Sequence, residues 1–353
     1  MFGSGVVTGV ETSWDDARVA VVCGGCGPEA GVSRISGGSV AAALRTRLDH
    51  VAVMEFDDGL AARVARFAPT CVFPIVHGVP GEDGTLQGFL DTIGLPYVGS
   101  GVLASACAMH KGVATTLLRA AGLPVSPSVT VARADGKDAG ALHVAETIGC
   151  DVVLKPIAGG SGLGVRFARN LDEVRAALGD ALDACDQVIV EQRARGAEVT
   201  VAVLERDGCE ALPPVAIETP PGSWYDYRHR YTHGLSRHVV PAPIGSEKRL
   251  KLQQLAVTAH RTLGCRDLSR ADFIVPTHGR PVLLEVNTLP GMTPTSLYPD
   301  AAAAIGLSFE DLVCGLVRRA LRRPALARGK VLYHMAGQRM AGPGPRGDRT
   351  AAG

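Results

Sequence analysis

Hydropathy patterning predicts an α/β chain, α+β once its second half is included. Three observations carry this expectation. From residue 17 onward, apolar strands and helices follow one another as β-α-β-α-β, the order that builds an open parallel sheet. Near the C-terminus, two short apolar runs flank a His278-Gly279 turn, the pattern of an antiparallel hairpin. At 353 residues the chain is long enough for two or three domains.

Taken in order, Ala17–Gly25 (ARVAVVCGG) is a continuous apolar strand ending in glycines, as expected where both faces of a sheet are covered. A loop and a helix follow, with Val40, Ala43, Leu44 and Leu48 on its apolar side. HVAVMEF is a second strand, LAARVARF a helix, and TCVFPIVHG a third strand ending near His77. Ligands of open parallel sheets gather at the carboxyl ends of the strands, which makes Glu29 and His77 candidate site residues. A helix is expected from Thr85 to Ile93, with Glu82 and Asp83 at its N-terminus, where carboxylates favour the macrodipole and capping accounts for both. A helix carrying Lys111 comes next, and the proline-punctuated GLPVSPSVT reads as a linker. The first domain boundary is expected near Met109.

Cys150–Ala168 (CDVVLKPIAGGSGLGVRFA) places Lys155 on a strand just before a loop containing Gly159, Gly160, Ser161, Gly162 and Gly164. Glycine density lets backbone amides approach a polyphosphate while the lysine supplies charge. No Gly-Lys-Ser/Thr opens a helix here, so this is not a P-loop. Two strands follow, with Glu191 ending the first and Glu198 beginning the second, suited to hydrogen bonding an adenine or a ribose. Ser223–Pro243 (SWYDYRHRYTHGLSRHVVPAP) has neither helical nor strand periodicity and reads as a functional lid. Its histidines, 229, 233 and 238, lack metal-ligand spacing. SEKRLKLQQLAVTAHRTLGC is an amphipathic helix, and the chain closes with a loop and a helix from about Ser308. Residues 1–16 and 324–353 are expected as flexible tails.

The hairpin carries the sharpest local signal. Its strands are expected at Arg270–Val275 and Pro281–Asn287, and symmetry about the turn sets Asp272 opposite Glu285 and Arg270 opposite Asn287. Facing carboxylates repel. A hard divalent cation, bound by carboxylate and amide oxygens, would remove that cost.

Composition excludes other classes. Hydrophobic residues make up 46 %, charged residues 20 %, and the net charge is +1. That balance supports neither nucleic-acid nor membrane-surface binding. No apolar run approaches the roughly 20 residues of a membrane span. MFGSGVVTGVETSWDD lacks a basic segment followed by a long apolar core, so a cytoplasmic location is expected. The nine cysteines are scattered and odd in number, as in a reduced protein. Cys23 and Cys26 form a CGGC without a second CxxC, better explained as a turn after a strand than as a redox or metal pair.

Together these motifs resemble the D-alanine–D-alanine ligase family of the ATP-grasp superfamily. HGVPGEDGTLQG (His77–Gly88) is similar to one family signature, and Leu263–Gly291 (LGCRDLSRADFIVPTHGRPVLLEVNTLPG) to another. YVGSG, GLPV, WYDYRHRY and PGMTPTSL also occur in similar form and order. The likeness runs from about Ala17 to Arg323. It implies an ATP-grasp fold with a Rossmann-like N-terminal domain (17–108), a central lid subdomain (109–195) and a C-terminal subdomain (196–323). It implies ATP-dependent joining of two D-alanines through an acyl phosphate, for peptidoglycan, by a homodimer. An alternative keeps the chemistry but changes the acceptor to D-lactate, D-serine or another amine. Biotin carboxylases and purine-pathway ATP-grasp enzymes lack the HGxxGEDGxLQG stretch, and a non-catalytic regulator would have no use for the metal ligands.

By motif, the resemblance implies that Asp272, Glu285 and Asn287 hold two Mg2+ ions, with Mn2+ able to replace them. Lys111, Lys155 and the loop at Ser161 would meet the ATP phosphates, and Glu191 and Glu198 the adenine and ribose. Arg270 and the Gly291 amide would stabilise the acyl phosphate and the tetrahedral oxyanion. Glu29 and His77 would face the first D-alanine, and Ser296 and Leu297 the carboxylate of the second. Tyr231 would join Ser161 and Glu29 in a closing network. Four positions depart from the family pattern: Gly31 replaces an acid, Arg230 a lysine and Gly162 a serine, and Gln192-Arg193 replaces a bulky apolar residue after Glu191.

Overall fold

The computed structural model describes residues 14–232 and 234–323. The expected tails at 1–13 and 324–353 lie outside the described residues, as does His233. Of residues 14–16, Trp14 lies beneath the Arg318 guanidinium, 4.1 Å from its ring centre.

The N-terminal sheet is parallel, in the order β2 (His50–Glu55), β1 (Arg18–Cys23), β3 (Cys71–Pro74). Along β1, Val19, Val21 and Cys23 enter one core while Ala20 and Val22 enter another. Burial on both faces is why this strand reads as an unbroken apolar run. Helices α1 (Ala30–Arg45), α2 (Leu60–Phe67) and α3 (Thr85–Thr92) follow the expected alternation. Gly31 is exposed on α1 with no atom within 4 Å of where a Cβ would stand, so the missing acid leaves the helix intact.

After α4 (Val102–Met109) and α5 (Lys111–Ala120), a four-stranded antiparallel sheet runs β4 (Ser128–Ala132), β7 (Gln187–Gln192), β5 (Val152–Pro156), β6 (Arg166–Ala168). Helices α6 (Lys137–Ile148) and α7 (Leu171–Ala184) close its core with Val144, Leu178 and Leu182.

The third sheet is built around β8 (Ala197–Glu205), which pairs with β9 (Cys209–Ala211), β10 (Val215–Glu218) and β12 (Leu268–Val275). Strands β11 (Arg237–Val239) and β13 (Val282–Asn287) form its margins. Val199, Val201 and Val203 point into one core with helix α9 (Ser246–Thr262), and Ala202 and Leu204 into the other. Thr200, 1 % exposed, is the polar exception on this strand.

The hairpin register is as expected: Asp272 pairs with Glu285 and Arg270 with Asn287. A bulge after Asp272 then sets Phe273 opposite Leu283. Two expectations fail. The 223–243 stretch is not structureless: Asp226 caps a short helix α8 (Tyr227–Tyr231) by accepting from the His229 N–H at 2.9 Å, and β11 follows. The segment before the last helix, α11 (Phe309–Leu321), holds α10 (Leu297–Ala303), whose Leu297, Ala301 and Ala302 are buried. An alanine run with a Pro299 inside its first turn carries little amphipathic signal, although proline is tolerated there.

Candidate functional site

Two adjoining cavities occupy the seam between the three sheets, and Lys111, Gly159, Gly160, Tyr225, Arg230 and Glu285 belong to both walls. One is lined by Lys155, Gly162, Phe167, Glu191, Glu198 and Trp224 among others. The other gathers Glu29, His77, Ser161, Tyr231, Arg270, Asn287, Gly291, Ser296 and Leu297. Of the residues singled out by sequence, only Asp272 lines neither.

Within the first cavity, Lys155 and Glu191 face each other on neighbouring antiparallel strands, Nζ to Oε2 2.6 Å, both nearly buried. Burial alone would lower the Lys155 pKa, but the Glu191 charge and hydrogen bond outweigh it and hold it above the ordinary value. Lys111 stands in the first turn of α5, which His110 caps by accepting from the Val113 N–H. Its Nζ donates to the Gly159 carbonyl at 2.5 Å, and burial lowers its pKa against the pull of Glu285. Both ammonium groups therefore reach the glycine loop or its base, where a polyphosphate would find charge.

Glu198 has its pKa pushed up to about 7, by burial first, against the opposing charge of Arg230, 4.0 Å away. A folded value above the ordinary 4.5 means that folding disfavours the charged form. This cost is absent below pH 4.5, grows as pH rises, and is complete above about 7. Glu198→Gln is accordingly expected to stabilise the unliganded protein at pH 8 by on the order of 1–3 kcal/mol, and not at pH 4.5. Thermal melts at both pH values check this; an equal effect at each would refute it.

The glycine loop closes onto the second cavity. Ser161 sits at φ +53°, a left-handed conformation unusual for a residue with a side chain, and donates its hydroxyl hydrogen to the Glu29 carboxylate. The Tyr231 hydroxyl lies 2.6 Å from Ser161 Oγ and 3.3 Å from Glu29 Oε1. Burial, and then the neighbouring Glu82 carboxylate, raise the Glu29 pKa. Burial and the Glu29 charge raise that of Tyr231. Gly162 explains itself: at φ +73°, a Cβ there would stand 2.9 Å from the Trp224 ring, so the indole occupies the space a serine would need. Trp224 also packs edge-on against Phe167, 5.5 Å between ring centres. Arg230, another departure from the family pattern, stacks 4.4 Å over Tyr225 and donates Nε–H to its carbonyl.

At the floor, Arg270 donates from Nε and Nη2 to the two Asp272 oxygens at 2.9 and 2.8 Å, and Thr200 donates to Oδ1 at 2.5 Å. Ala202 stands opposite Arg270 on β8, small enough to let the guanidinium fold along the strand. Burial works to raise the Asp272 pKa, but Arg270 outweighs it and holds the carboxyl below its ordinary range. Arg270, two residues along the same strand, is the counter-charge of Asp272, in keeping with a site that carries an arginine beside its carboxylates.

Glu285 differs. Among the described residues no hydrogen bond or ion pair within 4.0 Å reaches its carboxylate, although Lys111 and Lys155 feel its charge. A half-buried carboxylate without a partner, beside the Asn287 amide oxygen, is a donor set that fits a hard divalent cation. Asn287 Oδ1 accepts from the Leu289 N–H at 2.8 Å and keeps a second lone pair.

Ser296 Oγ accepts from the Thr293 N–H at 3.0 Å at the start of α10, and a Cβ on Gly291 would lie 2.9 Å from it, so only glycine lets these segments approach. His77 lies between Ser36 Oγ, 3.3 Å from Nε2, and Glu82 Oε1, 3.4 Å from Nδ1. Sequence reasoning missed Glu82, treating it as a helix cap. Asp83 does that work, accepting from the Thr85 N–H at 2.9 Å, while Glu82 is 9 % exposed and turned into the cavity. Its place in HGVPGEDG was the available signal.

Two antiparallel sheets gripping a glycine- and lysine-lined cavity define the ATP-grasp class. Family models for the D-ala D-ala ligase N-terminus and C-terminus match residues 55–100 and 117–318. A D-alanine–D-alanine ligase of Halalkalibacterium halodurans is 40% identical, aligning 87% of this chain with 100% of that one. The D-alanine–D-alanine ligase of Bacillus anthracis complexed with ATP superposes with a TM-score of 0.75 at 25% identity, covering 87% of this chain and 98% of that one. A D-Ala:D-Ser ligase from Enterococcus faecalis gives 0.73 at 30% identity, covering 86% and 99%. The chain belongs to the D-alanine–D-alanine ligase family.

Proposed function

We propose that the protein joins two D-alanine molecules in an ATP-dependent reaction. The observation that carries this reading is the seam: Glu285 and Lys111 border both cavities, so a nucleotide in one would present its terminal phosphate to a carboxylate in the other. The carboxylate of the first D-alanine attacks the γ-phosphorus, giving an acyl phosphate and ADP. The amine of the second attacks the acyl carbon; the carbonyl re-forms as phosphate leaves, and the amine loses a proton.

Each residue has a task in that sequence. Lys111 and Lys155 neutralise phosphate charge, and Glu191 and Glu198 meet the adenine and ribose. Glu29, with His77 beside it, takes the ammonium of the first D-alanine, and its bonds to Ser161 and Tyr231 close the glycine loop over the site. Arg270 and the Gly291 N–H face the charge that develops on the acyl phosphate and oxyanion. Ser296 and the start of α10 receive the second carboxylate. Glu285 and Asn287, with Asp272 behind Arg270, would hold Mg2+ or Mn2+, which supplies charge neutralisation to the transferring phosphoryl group. The reading extends to a cytoplasmic homodimer serving peptidoglycan synthesis, as the family resemblance implies. Among the described residues no helix is long and apolar enough to cross a membrane.

D-alanine-dependent phosphate release from ATP, with a D-alanyl-D-alanine product by mass spectrometry, is the expected result; no release with ATP, Mg2+ and D-alanine would refute the reading. The likeness to a D-Ala:D-Ser ligase supports a second acceptor, and the same assay with mixed D-alanine, D-serine and D-lactate separates them. Predominance of the dipeptide is expected; a mixed product carrying D-serine or D-lactate would replace it.

A further inference from the structure

On the far side of the third sheet from the hairpin turn, three ligating side chains converge that the ligase reading does not use. Glu205 ends β8 and Cys209 begins β9, directly opposite each other across a tight turn, and His260 reaches them from α9. One ligand atom from each lies within 4.8 Å of the others.

The imidazole makes this more than a polar cluster. His260 is 1 % exposed, and among the described residues its Nε2 makes no hydrogen bond, with Glu205 Oε1 3.5 Å away. Leaving a buried ring nitrogen without a hydrogen bond is unfavourable, so it calls for a reason. The other nitrogen, Nδ1, lies 2.8 Å from the Ser269 hydroxyl on β12. Burial lowers the imidazole pKa, against the pull of the neighbouring Glu205 carboxylate. In the tautomer that donates Nδ1–H to Ser269, the Nε2 lone pair faces Glu205 and Cys209. A metal-binding histidine is held in this way, its second nitrogen donating to a fixed partner.

The other two groups lie within reach of the same point. Glu205 Oε2 is occupied by the Asp267 N–H at 3.0 Å and the Arg319 guanidinium at 2.5 Å, leaving Oε1 free, 3.5 Å from His260 Nε2. Tetrahedral zinc bonds of about 2.0–2.3 Å set ligand atoms roughly 3.4–3.8 Å apart, a spacing this pair already has. Cys209 is half-buried, with Arg261 beside its sulfur. Burial raises the Cys209 pKa against the Arg261 guanidinium, so the thiol would lose its proton only on taking up the metal. Glu205 also borders a surface cavity with Arg206 and Leu307, which gives an ion a way in.

We propose that Glu205, Cys209 and His260 form a binding site for one zinc ion, distinct from the magnesium positions at the hairpin. Carboxylate, thiolate and imidazole are zinc's ligands, whereas magnesium takes oxygen and rejects the sulfur. Two negative ligands balance the charge of the ion, and a water would complete the tetrahedron. Bound there, zinc would clamp the β8–β9 turn to α9.

The test uses the full chain, stripped of metal by a chelator, then saturated with Mg2+ and ATP to occupy the ligase site. Zinc is titrated against a chromophoric competitor, and Co2+ serves as a spectroscopic probe. One equivalent of zinc is expected, together with a thiolate-to-cobalt charge-transfer band in the near ultraviolet. Cys209→Ser, a small change at a half-exposed turn, should weaken zinc by about tenfold or more and abolish the band. Cys26→Ser, at an exposed cysteine elsewhere, should change neither. Glu205→Gln should weaken zinc while retaining the band, which keeps the proposal testable if a His260 variant fails to fold. Absence of stoichiometric zinc, or unchanged binding and spectrum in Cys209→Ser, would overturn it.

Discussion

Arg270→Met is expected to destabilise the protein by about 3–5 kcal/mol, because it leaves the Asp272 carboxylate buried without its counter-charge. Both side chains are less than one-tenth exposed and share two hydrogen bonds, so no water can replace the guanidinium cheaply. Urea unfolding measures the effect as a lower midpoint at similar slope. A second substitution decides the cause. Arg270→Met with Asp272→Leu should recover much of the loss, since an apolar pair replaces a charge pair at little net cost. The pH dependence follows from the depressed Asp272 pKa. Its contribution is complete above the unfolded value of about 3.9 and is lost as pH falls through the lower folded value. The gap between wild type and Arg270→Met should therefore narrow in acid. A single-variant loss below about 1 kcal/mol would contradict the account.

Glu285→Gln should separate stability from activity in the opposite sense. Among the described residues the carboxylate has no hydrogen-bonding partner, so the isosteric amide breaks no such contact and leaves the fold intact, with a melting temperature close to that of the wild type. Turnover should fall on the order of 10²-fold or more, because preorganised charge at a phosphoryl-transfer site is lost. Circular dichroism and phosphate release measure the two effects side by side. Turnover within about threefold of wild type would remove Glu285 from the reaction.

Much of the site was legible because its residues lie in short, rigid segments. Period-2 alternation and a symmetric turn set Arg270, Asp272, Glu285 and Asn287 in register before any coordinates, and the observed pairs agree. The unbroken apolar runs of β1 and β3 marked a parallel sheet, and strand ends marked Glu29 and His77. The bulge after Asp272 left no trace in the sequence, since one extra residue alters neither composition nor alternation enough to read. Residues 223–243 concealed α8 and β11, each too short for a periodic signal. Glu82 was hidden by Asp83: two adjacent acids before a helix look alike until one is seen to cap and the other to turn inward.

By itself the sequence determined the fold class, the β-α-β-α-β order of the N-terminal elements, the hairpin register and the family, because local periodicity and motif spacing survive without knowledge of contacts. Only the tertiary structure decided how charges are shared. Asp272 is neutralised by Arg270, and among the described residues Glu285 is left without a hydrogen bond or ion pair; Ser161 and Tyr231 meet Glu29 across 132 and 202 residues of chain. His260, Glu205 and Cys209 converge from a helix and two strands. Such pairings depend on packing between distant segments, which fixes distance and burial, and with them the sign and strength of every electrostatic interaction in the site.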